Sequence, residues 1–216
     1  METKRLLIRR FCPDDWRDLF EYLSQETVVR FEPYEIFTET ASMHEAERRS
    51  TDHNFWAVCL KDSGKLIGNM YLSKQNFDTW ELGYVFNEKH QRKGYATEAA
   101  QALLDDIFRN QNARRVVATC NPLNEPSWKL LERLRFRREG HLLKNIYFKK
   151  IKMANLFGLI HMNTLSLVKN GLFNILWLLR FKQQPACRLN GKLIFEFSER
   201  VLGFTLTSTQ VCFGVP

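Results

Sequence analysis

Residues 80–108 constrain this chain more than any other stretch. Trp80-Glu81-Leu82-Gly83-Tyr84-Val85-Phe86 has the aromatic and β-branched content of a strand, and residues 95–108 form an alanine- and leucine-rich helical pattern. Between them stands Gln91-Arg92-Lys93-Gly94-Tyr95-Ala96-Thr97. Gly94 lets the backbone turn tightly and approach a ligand closely. The helix start that follows offers N–H groups without intrahelical partners and the positive end of a helix dipole. Together these make an anion site of the size of a pyrophosphate, with Arg92 and Lys93 adding charge. An ordinary basic loop ahead of a helix is the competing reading of the same residues.

The rest of the chain supplies a framework around that unit. Arg5-Leu6-Leu7-Ile8-Arg9 is a short strand, and Asp14-Asp15 precede Trp16, Leu19, Phe20 and Leu23 at helical spacing. Thr38 or Thr40 opens a polar helix. Residues 55–60 and 66–72 read as a hairpin about Asp62-Ser63-Gly64-Lys65, residues 115–119 as a strand and residues 126–134 as an amphipathic helix. This order predicts a mixed α/β fold around a central sheet.

Composition excludes several classes of protein. The five cysteines are scattered, without metal-ligand spacing, so we expect free thiols and no metal site. Polar and charged residues interrupt every apolar run that could span a bilayer. The opening residues lack the apolar core of an export signal, which leads us to expect a cytoplasmic protein. The net charge of +8 is uneven: residues 151–216 hold 7 basic and 2 acidic residues, residues 1–150 hold 25 and 22. The first 150 residues are thus too nearly balanced to suggest nucleic acid, and a polyphosphate coenzyme accounts for their mild excess.

Gln91, Gly94 and Ala96 fill the pattern Gln/Arg-x-x-Gly-x-Gly/Ala, and in this the chain resembles the GNAT acetyltransferases. Glu81-Leu82-Gly83-Tyr84, Gly94-Tyr95-Ala96-Thr97-Glu98-Ala99, Asn124-Glu125-Pro126-Ser127, Leu130-Leu131-Glu132 and Phe136-Arg137 are similar to the Rim-type branch, which acetylates the N-termini of ribosomal proteins. Thr3-Lys4-Arg5-Leu6 matches its opening strand. The resemblance covers residues 3–148. It implies a GNAT fold, with a twisted, mostly antiparallel sheet flanked by helices, and acetyl-coenzyme A as cosubstrate. It also implies a primary amine as acceptor, here the α-amine of a ribosomal protein. A polyamine, amino-acid or aminoglycoside acetyltransferase, and a non-catalytic coenzyme-binding or inactive product, remain alternatives. The oligomeric state stays open.

The resemblance also implies roles. Val85 and Phe86 would lie where the fourth strand leaves the fifth, pairing with the pantetheine arm as with another strand, and a backbone N–H near Phe86 would polarise the thioester carbonyl. Gln91, Arg92, Lys93, Gly94, Tyr95, Ala96 and Thr97 would hold the pyrophosphate, and Asn124 the pantetheine. Ser127 would donate a proton to the leaving thiolate, or merely cap its helix. Glu81 is the candidate base for the acceptor amine, or a structural carboxylate, and Glu32 is a second candidate bordering the acceptor.

Two departures stand out. Where the family carries glycine after the helix at residues 126–134, this chain has Arg135, so a left-handed residue there would cost on the order of 1 kcal/mol. After Lys150 the resemblance stops. Setting the reading frame back by one nucleotide forces a glycine codon at Met153-Ala154 and a glutamate codon at Met162-Asn163, and permits the family's ending across residues 152–171. We therefore expect residues 1–150 to form the catalytic domain, with the last strand missing or replaced. Residues 151–216, including the nearly continuous apolar run at 172–179, should be a frameshifted, poorly ordered tail; a genuine extension is the alternative.

Overall fold

The computed structural model describes residues 1–153, 156–170, 187–189, 192–194, 198–201 and 204–207. They fall into two compact units, Met1–Gly171 and Leu172–Pro216. The first carries a seven-stranded sheet in the order β1-β2-β3-β4-β5-β7-β6. Its strands are β1 (Leu6–Arg9), β2 (Phe55–Leu60), β3 (Leu66–Lys74), β4 (Thr79–Phe86), β5 (Arg115–Cys120), β6 (Arg137–Met153) and β7 (Leu156–Asn170). All neighbours are antiparallel except β4 and β5. In the second unit, Cys187–Leu189 pairs with Lys192–Ile194 and Ser198–Val201 with Phe204–Thr207.

Among the described residues five α-helices cover the two faces of the sheet. On one face lie α4 (Tyr95–Asn110) and α5 (Glu125–Arg133). Ala99, Ala100, Leu103, Leu104 and Ile107 recur along α4 at the spacing of one helical stripe and pack against Leu6, Ile8, Val58, Ile67, Leu82 and Phe86. On the other face lie α1 (Trp16–Leu23), α2 (Glu26–Val29) and α3 (Glu39–Thr51). Leu19, Tyr22, Leu23 and Val29 there meet Ala57, Cys59, Leu66 and Val85. Adjacent strand residues point to opposite faces, so Trp80, Leu82, Tyr84 and Phe86 serve the α4–α5 face and Val85 the other.

Local chemistry sets several boundaries. Thr38 caps α3, its hydroxyl accepting from the Ala41 N–H at 3.2 Å. In α1 the buried stripe is Leu19, Tyr22 and Leu23, with Trp16 half-buried. Tyr22 is fully enclosed because its hydroxyl finds a partner inside, donating to Asn69 Oδ1 at 2.9 Å. Arg135 adopts φ +66° at the end of α5, with the Phe136 N–H bonded to the Leu131 carbonyl at 3.0 Å. That is the closure glycine normally provides, achieved by a residue with a Cβ.

The place between β5 and β6, where the last strand was expected to be missing or replaced, is filled by β7 from beyond residue 150. Its backbone pairs with β5 from Arg115↔Asn170 to Cys120↔Leu165, and with β6 from Arg137↔Val168 to Met153↔Leu156. The sheet of the first unit thus runs past residue 150. The apolar run at 172–179 lies outside the described residues.

Candidate active site

β4 and β5 are partners over only three residues, Thr79↔Arg115, Trp80↔Val116 and Glu81↔Val117. From Leu82 onward β4 keeps β3 on one side and, among the described residues, has no strand on the other. The Asn87 N–H donates to the Ile67 carbonyl at 2.9 Å, which fixes the phase of the ladder. Backbone groups of Glu81, Gly83 and Val85 therefore turn toward β3, and those of Leu82, Tyr84 and Phe86 toward the opening. Val85 faces Asn69 of β3, so it lines the site through its neighbours rather than through its own N–H. The Phe86 carbonyl accepts from Gln91 Nε2 at 2.9 Å, tying the end of β4 to the loop that follows.

That loop closes over the same end of the strand. Arg92 (φ +58°) and Gly94 (φ +81°) are both left-handed, which turns successive N–H groups toward one concavity. The first bond of the α4 ladder runs from the Glu98 N–H to the Gly94 carbonyl at 3.0 Å, leaving the Tyr95, Ala96 and Thr97 N–H groups without intrahelical acceptors. Tyr95 and Ala96 pack inward against the core, and Arg92 and Lys93 are exposed. A Cβ on Gly94 would meet the Arg5 guanidinium at 3.3 Å.

Arg5 and Glu98 hold this loop, and sequence reasoning assigned neither a role. Glu98 accepts from Thr3 Oγ1 at 2.6 Å, from the Arg5 N–H at 2.8 Å and from Arg5 Nε at 2.7 Å. Arg5 Nη1 donates to the Lys93 carbonyl at 2.9 Å, and its guanidinium lies 4.5 Å from the Tyr95 ring centroid. Burial works against the charge of Glu98, but these donors outweigh it and lower its pKa. An acidic residue in the first helical turn facing a basic residue on the first strand was the available signal.

Across the opening stands α5. The Asn124 side-chain oxygen accepts from the Ser127 N–H at 3.3 Å, so Asn124 caps the helix. Ser127 is therefore not the capping residue. Its Oγ lies 2.8 Å from the Tyr84 hydroxyl, which is also 3.0 Å from the Ser127 carbonyl. Burial pushes the Tyr84 phenol well above the usual range despite the bond from Ser127. Burial likewise raises the neighbouring Cys120 thiol. Tyr84 is the residue that the sequence presented only as part of a strand. Its role depends on what α5 brings opposite it.

The two carboxylates differ. Glu81 lies where β4 and β5 are still paired, opposite Ser73, exposed, with Gln75 Nε2 3.4 Å from its Oε2. Glu32 follows α2 and is half-buried. Burial pushes its carboxyl up to about 7, against the field of Arg49 and a bond from Tyr34. Among the described residues no group of His, Cys, Asp and Glu side chains could hold a metal ion, and no helix is long and apolar enough to cross a membrane.

An opening strand pair with an N–H-lined concavity at its mouth suits a ligand that is peptide-like along its length and anionic at one end. The family comparison agrees with that geometry. The chain belongs to the GNAT acetyltransferases: the acetyltransferase (GNAT) domain matches residues 5–137. It is 40% identical over 146 residues to the N-acetyltransferase YnaD of Bacillus subtilis, covering 67% of this chain and 86% of that one. A GNAT-family acetyltransferase from Bacillus anthracis superposes with a TM-score of 0.69 at 32% identity, over 79% of this chain and 98% of the other. A shorter match, 35% identical over 83 residues, joins 37% of this chain to 43% of the [ribosomal protein uS5]-alanine N-acetyltransferase of Escherichia coli. The protein is accordingly an acyltransferase that acetylates amines, and enzymes of its family use acetyl-coenzyme A.

Proposed function

We propose that this chain transfers acetyl from acetyl-coenzyme A to the α-amine of a protein N-terminus, of the ribosomal-protein kind, by direct attack in a ternary complex. The observation that carries the reading is the parting of β4 from β5 beneath the N–H groups of residues 92–97. The residues there fit the coenzyme. The Leu82 carbonyl, both backbone groups of Tyr84 and the Phe86 N–H face the gap as a strand edge would, available to the two amides of a pantetheine arm. The concavity and its two exposed cations suit a pyrophosphate. The match to an enzyme that acetylates a ribosomal protein supports the choice of acceptor.

When bound, the coenzyme supplies an acetyl group activated as a thioester. The Phe86 N–H faces the gap and would serve as a preset donor to the thioester carbonyl oxygen. The Ser127–Tyr84 hydroxyl pair, 2.8 Å apart, would pass a proton to the departing sulfur. The acceptor must lose a proton before it attacks, and two carboxylates, Glu81 and Glu32, are available to take it. A panel of N-terminal peptides set against polyamines, amino acids and aminoglycosides tests the acceptor. Peptide turnover at least tenfold above every small amine supports the proposal, and preference for a polyamine overturns it.

A further inference from the structure

We propose that Gly83 determines how much bulk an acceptor can carry beside its reacting nitrogen: the bare strand face it leaves next to Tyr84 takes the substituent on the amine's α-carbon. The inference rests on the acetyl-transfer reading of the site but not on which amine is the acceptor.

Glycine in the interior of a strand weakens it, because it packs nothing and loses much freedom on folding. A glycine there has three ordinary reasons: a left-handed backbone, a crowding neighbour or an approaching ligand. Gly83 lies inside β4, opposite Tyr71 of β3. Unlike Gly94 it is not left-handed. Gly68 is crowded, since a Cβ on it would lie 2.6 Å from the Val85 carbonyl oxygen; Gly83 is not. A Cβ on Gly83 would meet Tyr71 Cβ at 3.5 Å and Tyr71 Cδ1 at 3.8 Å, which are ordinary contacts. Its own N–H and carbonyl belong to the β3 ladder, so its small size does not serve a coenzyme lying in the gap beside the strand. The reason that remains is a ligand on the face of the sheet.

That face is the one on which α1–α3 lie, because Gly83 shares it with Glu81 and Val85. The helices cover Val85, which is 8% exposed. The cover ends there: Gly83 is half-buried and Glu81 exposed. Across the parted strands Thr119 of β5 is also exposed, and it alternates with Ala118, which faces α4–α5. The opposite face is closed. Leu82 and Phe86 are buried with α4 and α5, and the Tyr84 hydroxyl meets Ser127. An acceptor therefore reaches a thioester beside Tyr84 from the α1–α3 face, and the uncovered residue next to Tyr84 on that face is Gly83.

Tyr71 bounds the place on the β3 side. Its ring is held edge-on to Phe55 of β2, with centroids 5.1 Å apart. An ammonium arriving there meets the exposed Glu81 carboxylate, two residues back on the same face. The arrangement fits a primary amine with its nitrogen at the gap and its α-substituent over Gly83, against the Tyr71 ring.

The test compares the full-length parent with Gly83→Ala, using three peptides that differ only in a first residue of glycine, alanine or valine. The new methyl takes the place of the acceptor's side chain. The kcat/KM of Gly83→Ala should therefore fall by roughly 10–200-fold for the alanine-first peptide. It should fall at least as far for the valine-first peptide and change little for the glycine-first one. Gly83→Ser, similar in size but polar, should shift the preference the same way. The KM for acetyl-coenzyme A should stay unchanged. The melting temperature of Gly83→Ala should match or exceed that of the parent, because alanine restricts the unfolded chain and meets no clash.

Equal losses for all three peptides, or no loss, overturn the proposal. A clearly lower melting temperature overturns it too, since glycine would then be needed for packing, as does a raised coenzyme KM. A small amine outperforming every peptide would sink the proposed acceptor alone. The comparison then runs on an unbranched amine and its α-methyl form, and a loss confined to the α-methyl form upholds the role of Gly83.

Discussion

Gly68→Ala would strike the site from behind. Gly68 pairs with Phe86 on β4 and with Val58 on β2, beside the bulge that leaves Ile67 unpaired with β2. A Cβ built on it would lie 2.6 Å from the Val85 carbonyl oxygen and 2.7 Å from Phe86 Cδ1. The ring can swing aside, but the oxygen is held in the β3–β4 ladder. The contact falls about 0.7 Å short of the roughly 3.3 Å at which carbon and carbonyl oxygen meet comfortably, so the end of β4 must move by that order. Overpacking of this kind costs about 1–3 kcal/mol. For a unit of this size that lowers the melting temperature by roughly 2–4 °C per kcal/mol. Misplacing a catalytic group by about 1 Å costs about 10² in rate, so the displaced Phe86 N–H should cost on the order of tenfold. Calorimetric melting, coenzyme titration and steady-state acetyl transfer well below the melt would measure all three. A variant that melts and turns over like its parent refutes the argument. One that melts lower but reacts at full speed refutes the placement of the Phe86 N–H.

Arg135→Gly removes a left-handed residue that costs about 1–2 kcal/mol, less the roughly 0.5–1 kcal/mol of extra freedom glycine loses on folding. It should stabilise the protein by about 0.5–1 kcal/mol in a denaturant titration, with no change expected in turnover. Gly94→Val should abolish coenzyme binding in calorimetry, because the side chain crowds Arg5 and a β-branched residue resists φ +81°; unchanged affinity would remove the pyrophosphate from this loop. Tyr84→Phe should lower kcat by about 10²–10⁴ if the hydroxyl pair protonates sulfur. Ser127→Ala should do the same and the double variant should cost little more, so additive losses would separate the two residues. Finally, restoring one nucleotide near codon 150 should give a shorter, more soluble and more active chain; equal melting and turnover would make residues 151–216 a genuine extension.

The sequence by itself determined the framework. Apolar runs and helical stripes foretold the element order from β1 to β6 except for α2, and did not foretell β7. Gln91, Gly94 and Ala96 identified the loop because a left-handed turn under a helix start leaves a chemical signature in consecutive residues. Even the cost of the missing glycine was visible, and Arg135 duly sits at φ +66°. What consecutive residues do not encode is which strand edges part and which side chains meet across the gap. Tyr84 became a partner of Ser127 only when α5 was laid against β4, 43 positions away in sequence. Asn124 and Ser127 divided capping and contact in a way their spacing did not announce. Glu81 and Glu32 are the same residue type, and the sequence ranked them by motif position alone. Their difference lies in the dielectric around them, set by how α1–α3 fold over the sheet. Only the tertiary structure supplies that enclosure, because desolvation is a property of surroundings gathered from distant parts of the chain.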